Sequence, residues 1–97
     1  MTDRELLELA AKAIGKSYVD GDSWDEGAGW NPLTDDGDAL RLAVKLGIGV
    51  HFNVYRKEDC AIAGSDGSYQ EQKLCDDPYA ATRRAIVRAA ADIGRGM

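Results

Sequence analysis

Apolar residues recur every three to four positions in three stretches of the chain and every second position in a fourth. From Thr2 to Ile14 the spacing of Leu6, Leu9, Ala10, Ala13 and Ile14 predicts a helix. Thr2 and Glu5 form a T-x-x-E capping box at its start, and Gly15 offers a left-handed cap at its end. A second helix is predicted from about Asp35 to Leu46, with Ala39, Leu40, Leu42, Ala43 and Leu46 on its apolar side and Gly47 closing it. The third opens with Asp77 as cap and Pro78 in the first helical position. It turns Tyr79, Ala80, Ile86, Val87, Ala90 and Ile93 inward and ends at Gly94.

Between the second and third helices the period changes to two. Ile48, Val50, Phe52 and Val54 face one way, toward a core, while Gly49, His51, Asn53 and Tyr55 face the other. A charged turn, Arg56 to Asp59, leads to a short strand Cys60 to Ala63. The segment Gly64 to Ser68 then turns the chain into a strand from Tyr69 to Leu74, in a register that Asp66-Gly67 leaves open. Tyr18-Val19 is the one strand fragment in the stretch Lys16 to Gly29, ahead of an acidic, glycine-bearing loop from Asp20 to Gly29. The element order predicts a single α+β domain over residues 1–97, with three helices and a small antiparallel sheet of about three to four strands.

The entrance to the second helix is the most ordered local pattern in the sequence. Pro32 pushes Asn31 toward an extended conformation, and Thr34 or Asp35 can accept bonds from the first free backbone N–H groups. Asp35, Asp36 and Asp38 sit where the helix dipole favours negative charge. Asn31, Pro32, Thr34, Asp35 and Asp38 are accordingly read as structural.

Composition narrows the function classes. A formal net charge of −5 argues against general affinity for phosphate backbones, because that affinity is supplied by Lys and Arg. No apolar run approaches the roughly 20 residues of a membrane span, and the charged start Thr2-Asp3-Arg4-Glu5 lacks the pattern of a leader, so the expectation is a cytoplasmic, unprocessed protein without membrane association. Cys60 and Cys75 lack the ligand spacing of a zinc site and are expected as thiols, with a disulfide as the alternative. The acidic loop fails the calcium-loop pattern, because the ligand and glycine positions hold Trp24 and Asp25 and the twelfth position holds Asn31. No metal and no cofactor are expected.

Candidate chemistry is sparse. His51, the single histidine, reads as a half-exposed strand residue, although a spatial pairing with Cys60 or Cys75 stays open. Arg84, Arg88 and Arg95 fall on nearly one stripe of the last helix with Arg83 beside it, and a solvated face is the preferred reading over an acidic partner. Trp24 and Trp30 bracket a glycine-containing acidic stretch, a way to present rigid aromatic surface. Core packing is preferred for Trp30, and Trp24 fits either reading.

The block Trp30 to Leu40 before a helix and Gly47-Ile48, an N-terminal helix like Leu6 to Gly15, and Asp77-Pro78-Tyr79-Ala80-Ala81 opening an alanine-rich helix occur together. In this order they resemble the NinX-like proteins, small bacteriophage proteins of uncharacterised function whose fold is described as a phage α-β-α sandwich domain. The resemblance implies helices on both faces of the sheet, whereas the polar His51-Asn53-Tyr55 side suggests that one face is only partly covered.

Together these readings predict a non-enzymatic phage or prophage accessory protein that binds a protein partner in the bacterial cytoplasm. Its expected binding residues are Trp24, Trp30, Asp22, Asp25 and Glu26. The alternative is a small-molecule binder or weak hydrolase using a pocket between the acidic loop and His51. A monomer is expected, with the alanine surplus of the last helix packed on the first.

Overall fold

The computed structural model describes residues 2–15, 18–19, 23–24, 30–53, 60–65, 68–73 and 77–97. Asp22, Asp25, Glu26, Val54, Tyr55, residues 56–59, Asp66, Gly67, Leu74 and Cys75 lie outside them, as do the side chains of Trp24 and Cys60, so the expectations for the acidic loop and for the thiols lie outside them as well.

The chain is α+β. Helices α1 (Asp3–Ala13), α2 (Asp36–Leu46) and α3 (Pro78–Arg95) accompany a three-stranded antiparallel sheet of β3 (Gly49–Asn53), β4 (Cys60–Ser65) and β5 (Ser68–Lys73) in the order β3-β4-β5. A separate two-stranded pairing joins β1 (Tyr18–Val19) to β2 (Ser23–Trp24), with Tyr18 opposite Trp24. Trp24 thus belongs to a strand, where the sequence reading had a loop.

Local chemistry accounts for the helix ends. Thr2 Oγ1 accepts from the Glu5 N–H at 3.2 Å, and Gly15 follows α1 with φ of 78°. Asp35 caps α2 by accepting from the Asp38 N–H at 2.8 Å. Gly47, at φ of 68°, closes it while the Ile48 N–H returns to the Ala43 carbonyl at 2.9 Å, which buries Ile48 over the last turn. Asp77 caps α3 through the Ala80 N–H, with Pro78 in the first turn.

Gly94 does not end α3. The helix runs on to Arg95, and Gly94 is instead where α3 meets α1: a Cβ there would lie 2.0 Å from the Leu9 carbonyl oxygen and 2.9 Å from its carbon. Asp3 pairs with Arg84 at 3.0 Å near the other end of the contact, so the two helices run in the same sense. Ala10, Ala11, Ala90 and Ala91 are buried, in keeping with close approach of α1 and α3 through small side chains.

The strand ladder places Val50 opposite Ala63 and Phe52 opposite Ala61, and these in turn opposite Gln70 and Gln72. Ser65 pairs with Ser68, so β4 extends through Gly64 and Ser65, which the sequence reading had given to the turn. Ala61 and Ala63 are completely buried, and α3 is the helix that packs on β4 and β5. His51, Glu71 and Tyr69 are exposed on the opposite face. Among the described residues, helical packing on the sheet falls on the Ala61/Ala63 face, a two-layer arrangement rather than the two-sided cover the resemblance implied. The core joins Leu6, Leu42, Ile48, Ile86 and Val87 with the alanines of α3 and β4.

Candidate functional site

Among the described residues, the core leaves one part of the inner sheet face uncovered. Because α3 sits over β4 and β5, the inner side chains of the edge strand β3 form the floor of a groove of about 520 Å³. Val50 and Phe52 rise from that floor, Ala39, Leu40 and Ala43 of α2 make one wall, and Pro78, Tyr79, Thr82 and Ile86 of α3 make the other. The lining is overwhelmingly hydrocarbon. Three of its large side chains are open to solvent: Leu40 is 64% exposed, Phe52 51% and Tyr79 70%.

These three residues correct the sequence reading in the same way. Each was assigned to the core by periodicity, and each does lie toward the buried side of its element. No described element covers them there. Periodicity reports which face is apolar and is silent on whether another element arrives to cover it.

The polar end of the groove is built by the helix entrance. The Asn31 N–H donates to Asp38 Oδ2 at 3.0 Å, Asn31 Oδ1 accepts from the Leu33 N–H at 3.0 Å, and Pro32 is fully buried. Thr34 is not the cap; its hydroxyl donates to the Asn31 carbonyl at 3.4 Å. Arg83 reaches across from α3, donating through Nε to the Leu33 carbonyl at 2.8 Å and through a terminal nitrogen to Asp36 Oδ1 at 2.6 Å. Asp36 and Arg83 both line the groove, and Arg41 pairs with Asp38 at 2.7 Å beside them.

The arginines read as a stripe are each engaged within the chain. Arg84 pairs with Asp3, Arg88 donates to the Glu71 carbonyl and to Gln72 Oε1, and Arg95 lies 3.7 Å from Asp92. Arg88 in particular ties α3 to β5. Of the expected binding residues, Trp30 is half-buried and packs against the core. His51 stands on the face of the sheet away from the groove, and the pocket expected between the acidic loop and His51 falls in part on residues outside the described ones. Among the described residues no three His, Cys, Asp or Glu side chains group so as to hold a metal ion, and no helix is long and apolar enough to cross a membrane. What the arrangement can do is desolvate an apolar surface placed between α2 and α3, with carboxylates and paired guanidinium groups at one end. No protein-family model, curated protein or solved structure matches the chain.

Proposed function

We propose that the chain is a non-enzymatic binding module that captures a macromolecular partner through the groove between α2, α3 and β3. The observation that carries this reading is the exposure of Leu40, Phe52 and Tyr79 around a single apolar concavity, since contiguous apolar surface left open by a folded domain marks an interaction site. Assignment to a phage or prophage accessory protein rests on the sequence resemblance, and its placement in the cytoplasm on the lack of an apolar span and of a leader-like start. Binding through Trp24, Asp22, Asp25 and Glu26 belongs to the same proposal as a second contact area, with Trp30 serving the core more than the partner.

Capture from a bacterial lysate on immobilised protein tests the reading, with Phe52→Glu as the paired control. A partner retained by the wild type and lost by the variant supports it. Identical retention by both, or none by either, overturns it. A small apolar ligand is the rival occupant, because the groove falls within the size range of small-molecule sites. Such a ligand would raise the melting temperature of the wild type and not of Phe52→Glu.

A further inference from the structure

Resting on the binding-module reading, we infer that the groove takes an amphipathic helix of a partner protein whose apolar stripe is flanked by lysine or arginine. Shape selects a helix. Among the described residues α3 covers β4 and β5, while on β3 Val50 packs partly on the core and Phe52 is left exposed between α2 and α3, and a cylinder laid there would extend the helical cover. Its floor and walls are side chains, Val50 and Phe52 below and Leu40, Tyr79 and Ile86 at the sides, so recognition proceeds by inserted side chains rather than by a backbone ladder. The volume of about 520 Å³ suits the about three large apolar anchors that a helix presents at i, i+4 and i+7.

Charge selects the partner's sign. Asp35, Asp36 and Asp38 gather at the start of α2, where the described guanidinium groups are those of Arg41 and Arg83. Arg83 is already turned to Asp36 and to the Leu33 carbonyl, while the Asp36 side chain stays 70% exposed and within reach of a second cation. The whole chain carries −5, so the wider field has the same sign. A basic flank is drawn toward this end of the groove and an acidic one is repelled. The same charges disfavour a second copy of this chain as occupant, because a two-fold contact through the groove would set like carboxylates against each other.

Selection from a random display library of peptides of about 18 residues, roughly five helical turns, tests this without presupposing the partner. The full chain is the bait and Phe52→Glu the counter-selection. The expected result is enrichment of sequences with apolar residues at i, i+4 and i+7 and an excess of Lys and Arg. The best of them, labelled for fluorescence anisotropy, should bind Phe52→Glu and Leu40→Glu at least about tenfold more weakly than wild type. Its affinity should fall as salt rises. Circular dichroism of both variants separates loss of binding from loss of fold, and Leu40→Glu decides the matter if Phe52→Glu is unfolded. Enrichment of period-two sequences, enrichment without basic excess, binding indifferent to both variants, or no enrichment overturns the inference. So does a concentration-dependent doubling of mass that Phe52→Glu abolishes. If selection fails while lysate capture still depends on Phe52, the helix chemistry is wrong and the binding-module reading stands; if both fail, both are lost.

Discussion

Gly94 is a residue whose role is set by a backbone rather than by a side chain. A methyl group there would meet the Leu9 carbonyl at a distance no packed atom adopts, and neither partner is a flexible side-chain end that can swing aside. Gly94→Ala is therefore expected to destabilise the protein by about 2–3 kcal/mol, as overpacking of a tight interior contact does. Urea denaturation followed by circular dichroism measures it. Gly96→Ala is the matched control: its backbone has φ of −80° and the added carbon would sit 3.6 Å from the Ile93 carbonyl, an ordinary contact. That variant should lie within about 0.5 kcal/mol of wild type. The sequence reading took Gly94 for a helix terminus because glycine marks both caps and close approaches, and only the position of α1 distinguishes them.

The elements divide into those whose signals are local and those whose meaning depends on a neighbour. Caps at Thr2, Asp35 and Asp77, the left-handed Gly47, and the α+β order were legible because each rests on residues within a turn of one another. The two-residue connection between β4 and β5 was not, since several turns fit the same residues and the register is decided by which of them complete the ladder. The groove was equally hidden: Leu40, Phe52 and Tyr79 look like core residues until the placement of α3 over β4 and β5 leaves them, among the described residues, without a covering element. Two predictions belong to this scale. Asp35→Ala should cost about 1 kcal/mol, seen in chemical denaturation, because the Asp38 N–H loses its acceptor. Arg83→Met removes two bonds, one from α3 to α2 at Asp36 and one to the turn ahead of it at Leu33. A double-mutant cycle with Asp36→Ala should give a coupling of about 0.5 kcal/mol, modest because the carboxylate is exposed; most of the loss should persist in the Asp36→Ala background, since the Leu33 carbonyl is the other partner.

For the molecule as a whole, the exposed side chains of the proposed binding surface are separate from the buried core that carries stability. Leu40→Ser should change stability little, within roughly 0.5 kcal/mol, and Phe52→Ser, at a half-buried ring, should cost about 1 kcal/mol, while both abolish partner capture. Calorimetry and capture on the same samples check both halves, and a large loss of stability would return these residues to the core. Light scattering at micromolar concentration should give a mass near 10.5 kDa, the monomer. One arrangement bears on how such a molecule comes into being. The helix α3 touches α1, α2, β4 and β5, yet it follows all of them along the chain. A ribosome therefore delivers α1, α2 and the sheet before the element on which they converge, and each must wait with its apolar side unfilled. Folding in the cell is expected to wait for α3, which leaves the nascent chain a window in which chaperones or proteases compete for it. Slowing translation ahead of Asp77 should lower the soluble yield without altering the finished protein.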